Sequence, residues 1–240
     1  MTDEKHWQLR PARDFNMPIG ERLRSQRREP GLISVTGHTL WMGLVRVYLK
    51  LAHRLTVTGR EHIPRDAPFV LVCNHTSHLD TLSLSAALPR RLAHRTVALA
   101  AGDVFFSNMA SAIFAATALN ALPIWREDTK PSDLAFLRQR MVEDEMVFIL
   151  FPEGTRSRDG SMRAFRAGLG AMVAGTPIAV VPCHLHGAHA CWPATRNMPR
   201  PGKLTLTIGP PLRFETVVND RNGWRAVAQE TEAAVRALAG

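Results

Sequence analysis

Short apolar runs bounded by turn residues, interleaved with stretches of helical periodicity, restrict this chain more than any other feature. Phe69 to Cys73, Thr96 to Ala100, Leu122 to Trp125, Val147 to Phe151, Ile178 to Cys183 and Leu204 to Ile208 read as strands. Helical patterns fill Leu79 to Leu88, Asn108 to Leu119, Ser132 to Glu143, Ala167 to Ala174 and Gly223 to Leu238. Several of the strand runs are apolar throughout, as expected where helices cover both faces of a sheet. The expectation is an α/β domain over residues 56–240, with a mixed, largely parallel sheet. A chain of 240 residues that is 45% hydrophobic suffices for one such core.

Upstream of that domain the pattern changes twice. Residues 1–30 mix arginines, acids and prolines and bury little, so a loosely ordered basic arm is expected, with a short helix near Glu21 to Arg28. Residues 31–55 read as an amphipathic membrane-interface helix. Arg46, Lys50 and Arg54 recur every four residues as a basic stripe, and Leu40, Trp41, Leu44, Val45, Tyr48, Leu49 and Leu51 cover much of the rest. An ordinary helix docked on the core would carry the same pattern.

Charge narrows the partners. Thirty Lys and Arg against 21 Asp and Glu leave +9, which favours an anionic membrane surface, an acidic carrier protein or nucleic acid. Nucleic acid is not expected, because the single tyrosine, Tyr48, and the lack of basic runs interleaved with aromatics provide no stacking platform. Three cysteines form no disulfide framework and suit a reducing compartment. No apolar stretch precedes Gly31, so no cleavable signal peptide is expected. Val104 to Trp125 lacks charge but is interrupted by polar residues, and is read as a helix that is buried or dips into one leaflet, followed by a strand.

Two segments carry chemistry. At the end of the first core run stands Asn74-His75-Thr76-Ser77-His78-Leu79-Asp80. Imidazole is the usual base for deprotonating a hydroxyl, and a carboxylate on its second nitrogen fixes the tautomer. Five residues turn an ideal helix through about 500°, so His75 must precede a helix from whose first turns Asp80 reaches back. Phe151-Pro152-Glu153-Gly154-Thr155-Arg156-Ser157 also follows a strand, and ligands of open α/β sheets bind at that edge. Its Pro and Gly shape a tight turn, Glu153 is expected either to order this loop or to contact an acceptor hydroxyl, and Arg156 suits a phosphate.

These two blocks, in this order, closely resemble signature blocks of the glycerolipid acyltransferase family, which includes lysophosphatidic acid acyltransferases. Leu122-Pro123-Ile124-Trp125-Arg126 and Val180-Val181-Pro182 with Gly187 resemble two weaker blocks. The resemblance implies that His75 is the general base and Asp80 its partner. It further implies that Asn74, Arg126, Glu153, Gly154, Thr155 and Arg156 serve the acceptor site and that Pro182 shapes the pocket near the acyl chain. Asn120 and Trp125 depart from the family pattern, which bears on the identity of the acceptor.

The expected reaction moves an acyl group from an acyl carrier protein or coenzyme A thioester to a lysophospholipid, 1-acylglycerol-3-phosphate first and an acylated amino acid lipid second. A thioester is already activated, so neither metal nor cofactor is expected. Cys183, His184, His186, His189 and Cys191 crowd together, but at a spacing that fits no common zinc site. No Gly-x-Ser-x-Gly elbow occurs, which argues against a serine esterase. The expected location is the cytoplasmic face of a membrane, peripheral or monotopic. A non-catalytic basic membrane-binding module is the alternative that charge alone allows.

Overall fold

A computed structural model of the chain describes residues 11–125 and 130–240. Among these residues the strands are β1 (Thr56–Thr58), β2 (Phe69–Cys73), β3 (Thr96–Ala101), β4 (Ala121–Ile124), β5 (Val147–Leu150), β6 (Ala179–His186) and β7 (Thr205–Ile208). They form one seven-stranded sheet in the order β1-β7-β6-β2-β5-β3-β4. Every neighbouring pair from β6 to β4 is parallel, β7 runs antiparallel to β6, and β1 pairs in parallel with β7. The α/β class and mixed, mostly parallel sheet read from the sequence are those of the structure.

The helices are α1 (Ile19–Leu23), α2 (Leu32–Ala52), α3 (Asp80–Ala87), α4 (Arg90–Ala93), α5 (Gly102–Phe105), α6 (Met109–Ala118), α7 (Pro131–Glu143), α8 (Gly168–Val173), α9 (Ala188–Cys191) and α10 (Arg221–Ala237). Local chemistry sets several starts. Asn108 caps α6 through Ser111 N at 2.9 Å, and Asp220 caps α10 through Gly223 N at 2.8 Å. At α7, Asp133 accepts the Lys130 N–H at 3.0 Å, with Pro131 in the first turn, where the missing N–H costs nothing.

Strand alternation sends β2 side chains to two layers. Leu71 and Cys73 join Met42, Val45 and Leu49 of α2 and Ala112 and Ala115 of α6. Val70 and Val72 join Leu137 and Met141 of α7, Met172 of α8 and Val227 of α10. Each fully buried aliphatic side chain contributes about 1.5–3 kcal/mol, so both layers are needed to hold a sheet of this width. On the second layer α8 and α10 touch closely, because Gly170 has no Cβ; one placed there would lie 2.3 Å from Trp224 Cα.

Two upstream expectations are corrected. Residues 11–30 are not a loose arm; they are held by polar contacts that composition alone does not reveal. Arg28 is 5% exposed and donates to Asn120 Oδ1 (3.0 Å) and Ala121 O (3.1 Å), while burial lowers its pKa to about 10. Arg13 bridges Glu29, Glu143 and Asp144, and buried Asp14 accepts from Arg22 and from Glu29 N. The short helix lies at Ile19–Leu23, earlier than the charge pattern suggested.

The basic stripe is likewise broken. Arg46 turns inward to the C-terminal carbonyls of α3, Ala86 O at 3.3 Å and Leu88 O at 3.4 Å, which leaves Lys50 and Arg54 as its exposed members. The apolar residues divide too, since Met42, Val45 and Leu49 face the core while Leu40, Leu44, Val47 and Leu51 point outward, each more than half exposed.

Candidate active site

The C-terminal end of β2 delivers Asn74 and His75, and α3 begins at Asp80, which is fully buried. A single oxygen, Asp80 Oδ2, accepts from His75 Nδ1 (2.8 Å), Thr76 N (2.8 Å) and Ser77 N (2.9 Å). Asp80 thus closes the turn before its own helix and fixes the imidazole with one atom. Because a carboxylate oxygen only accepts, Nδ1 carries the proton, and Nε2 keeps a lone pair. The other oxygen, Oδ1, is buried with no hydrogen-bond partner among the described residues.

The turn after β5 holds His75 from the other side. His75 N donates to Glu153 Oε1 (2.7 Å), Ser157 N donates to His75 O (2.8 Å), and Phe151 stacks on the imidazole at 4.1 Å and 16°. Glu153 spends its second oxygen on Arg163 N at 3.0 Å and is 3% exposed. Burial raises its pKa, against the pull of those two backbone donors. Glu153 therefore orders the loop, one of the two roles expected of it, and is not among the residues lining the cavity, which corrects the acceptor-site role implied by resemblance.

Asn74 is corrected in the same sense. Its Oδ1 accepts from Leu185 N (2.8 Å) and its Nδ2 donates to Leu185 O (3.2 Å), continuing the pairing of β2 with β6 beyond the last strand residue. Asn74→Ala strands both Leu185 groups in a buried position, at about 1–3 kcal/mol for each unsatisfied group. The expected outcome is a loss of about 2–6 kcal/mol in stability, read as a lowered urea midpoint, and an unchanged midpoint contradicts this role.

Pro182 lies inside β6 opposite Val72, and its carbonyl accepts Gly209 N at 2.8 Å. Alternation places it on the face of Val180, and it is not among the residues that line the cavity beside His75. Arg126 lies outside the described residues.

That cavity has a volume of about 320 Å³ and opens at the C-terminal edge of β3, β5 and β4. Ala98, Leu99, Ala100, Leu134, Leu150, Leu169 and Met172 make its depth apolar. His75, Gly154, Thr155, Arg156 and Arg166 form its polar part, and no carboxylate side chain is among the lining residues.

Arg156 packs on the ring of His78, with Nη1 within 2.7 Å of a ring nitrogen. Burial, with the nearby Arg156 charge, pushes His78 down to about 4, so the ring is neutral at ordinary pH. Arg166 escaped sequence reasoning. Gly154 has φ +73°, and a Cβ there would lie 2.8 Å from Arg166 Nε, so the turn glycine makes room for this second guanidinium. A glycine in a strand-end turn followed within a dozen residues by arginines was the available signal.

Cys73 and Cys183 are fully buried, and burial raises both thiols well above their ordinary range, which makes them poor nucleophiles. Among the described residues no three His, Cys, Asp or Glu side chains converge as metal ligands.

Comparison with known proteins places the sequence and its fold. Mouse 1-acyl-sn-glycerol-3-phosphate acyltransferase alpha is 25% identical over 168 residues, covering 70% of this chain but 58% of that protein. The chain thus spans less than two thirds of that mammalian relative's length. A Bacillus subtilis 1-acyl-sn-glycerol-3-phosphate acyltransferase is 26% identical over 168 residues, covering 70% of this chain and 78% of its own. The crystal structure of the Thermotoga maritima 1-acyl-sn-glycerophosphate acyltransferase PlsC superposes with a TM-score of 0.65 at 22% identity, covering 95% of this chain and 84% of that one, which establishes a common fold. The family profile described as Acyltransferase matches residues 54–186, more than half of the sequence. By that match the chain belongs to the glycerolipid acyltransferase family.

Proposed function

We propose that this protein transfers a fatty acyl group from a thioester, acyl carrier protein or coenzyme A, to the free hydroxyl of 1-acylglycerol-3-phosphate. The observation that carries the reading is His75, backed by buried Asp80, on the wall of a cavity with apolar depth and a polar part whose described lining includes two guanidiniums and no carboxylate side chain. The lone pair on His75 Nε2 takes the acceptor hydroxyl proton as the oxygen attacks the thioester carbonyl carbon, and Asp80 steadies the resulting imidazolium. The tetrahedral adduct collapses, the C–S bond breaks, and the departing sulfur recovers the proton from His75, leaving an ester and a free thiol.

Arg156 and Arg166 supply the charge for the acceptor phosphate, and the apolar lining suits an acyl chain. Two guanidiniums, with no carboxylate side chain among the described lining residues, favour a dianionic phosphate monoester over a zwitterionic amino acid lipid. The outward row Leu40, Leu44, Val47 and Leu51 would lay α2 in the membrane interface, on the cytoplasmic side where thioester donors are found. No helix among the described residues is long and apolar enough to cross a membrane.

The test is thiol release from a long-chain acyl thioester with no acceptor, with lysophosphatidic acid, and with an acylated amino acid lipid. Release that lysophosphatidic acid stimulates supports the reading; release indifferent to every acceptor refutes it. In the same assay Arg156→Ala and Arg166→Ala are each expected to raise the lysophosphatidic acid KM by about tenfold or more, as loss of a charged hydrogen bond of about 1.5–3 kcal/mol requires. An unchanged KM in both variants removes the phosphate from this part of the cavity.

A further inference from the structure

His78 stands between His75 and Asp80 in sequence, yet proton transfer by His75 asks nothing of it. Its place is fixed from the segment after β6. Trp192 O accepts from Ser77 Oγ (2.7 Å) and from His78 N (3.2 Å), and Ser77 pairs with Pro193 in an isolated bridge. The Trp192 ring lies on the His78 ring at 4.9 Å and 38°, and its indole N–H donates to Arg196 O at 3.0 Å, so the support is itself tied down.

Arg156 meets the same imidazole. Its Nη1 is 2.6 Å from Nδ1 and 2.7 Å from Nε2, nearly equidistant, so the guanidinium lies against the ring and not at the tip of one nitrogen. Among the described residues no carboxylate pairs with Arg156. The chemistry of the support matters. A carboxylate in this place would cancel the charge that a phosphate needs, and an imidazolium would repel the arginine. A neutral imidazole holds the side chain and leaves its charge for a ligand. Burial above all, then the charges of Arg156 and, more weakly, His75, lower the His78 pKa to about 4 against the pull of Asp80. A long side chain gives up rotamer freedom when it binds a ligand, and one already held against a surface gives up less.

We propose that His78 is a positioning residue: its ring, backed by Trp192, holds Arg156 in the orientation in which the guanidinium receives the acceptor's phosphate. The inference rests on the acceptor reading above and adds the residue that sets the geometry of that site.

The experiment measures KM and kcat for lysophosphatidic acid with the full chain as wild type, His78→Ala, His78→Phe, Arg156→Ala and the double variant His78→Ala with Arg156→Ala. His78→Ala is expected to raise KM by about threefold to tenfold, with the larger part of the loss in KM and not in kcat. A merely structural loss removes active molecules and lowers the apparent kcat with KM unmoved. His78→Phe keeps an uncharged ring on Trp192 and should return KM to within about twofold of wild type. In the double variant KM should match that of Arg156→Ala within about twofold, since His78 acts through that arginine. Losses that multiply, a His78→Ala KM equal to wild type, or a His78→Phe variant no better than His78→Ala overturns the proposal.

A second measurement needs no substrate. The His78 ring resonance, identified by its absence from His78→Phe, should titrate by NMR well below the ordinary histidine range in wild type. Its midpoint should rise by about half a pH unit or more in Arg156→Ala. If lysophosphatidic acid stimulates no thiol release, the acceptor reading fails, and the titration judges the His78–Arg156 contact alone: a midpoint in the ordinary range, unmoved by Arg156→Ala, shows that His78 does not hold the arginine.

Discussion

His75→Ala is expected to lower acceptor-dependent thiol release by about 10³-fold or more while leaving the protein folded. General-base catalysis contributes roughly 10²–10⁴-fold, and among the described residues no other group on the cavity wall can take its place. Arg156 and Arg166 are permanent cations, Thr81 and Thr155 are hydroxyls, and Glu153 is turned away onto two backbone donors. The structural loss is small. Removing the ring gives up the stack on Phe151 and one bond to Asp80, but His75 N and O keep their partners in the β5 turn. Urea unfolding should show a change on the order of 1 kcal/mol or less. Transfer at near wild-type rate by the folded variant would falsify the assignment of the base.

Asp80→Asn is expected to cost about 10²–10⁴-fold in kcat, with the acceptor KM little changed, because the damage is to the tautomer and not to binding. Three donors converge on Oδ2. An asparagine could keep them only by placing its carbonyl there, and its NH₂ would then occupy the position of Oδ1, buried with no partner. The opposite rotamer sets an NH₂ against the Thr76 and Ser77 N–H groups and invites His75 to move its proton to Nε2. Either arrangement leaves a buried polar group unsatisfied, so a stability loss of about 1–3 kcal/mol should accompany the kinetic one. Kinetics that differ from wild type mainly in acceptor KM would show that Asp80 acts on binding and not through His75.

The core strands were legible because strands buried on both faces need continuous apolar runs, and β2 and β5 have them. The three residues of β1, Thr-Val-Thr at the sheet edge, give no such run. They are recruited by backbone pairing with β7, which no local pattern announces. β6 extends through His184 and His186 for the same reason, its far end pairing with β7.

Within the site, residues whose roles follow from chemistry and nearby sequence were legible as candidates. Those whose roles depend on a distant neighbour were not. Asn74 reads as a binding residue until Leu185 is placed beside it, 111 positions away. Arg46 reads as a surface charge until the end of α3 is found under it. Arg166 takes its place in the site once the missing side chain of Gly154 is seen to leave room for it.

The segment around Arg13, Asp14 and Arg28 has one more consequence. Beside the packing of Leu23 on the core, it adheres to the rest of the molecule through charge and directed hydrogen bonds, forces that differ in kind from those of the sheet layers beneath. Added salt screens the exposed pairs of Arg13 and does little to Arg28, which is shielded, while leaving apolar burial intact or slightly strengthened. Ionic strength is thus a selective solvent variable for this molecule, able to loosen the rim of the segment at concentrations that leave the catalytic geometry untouched.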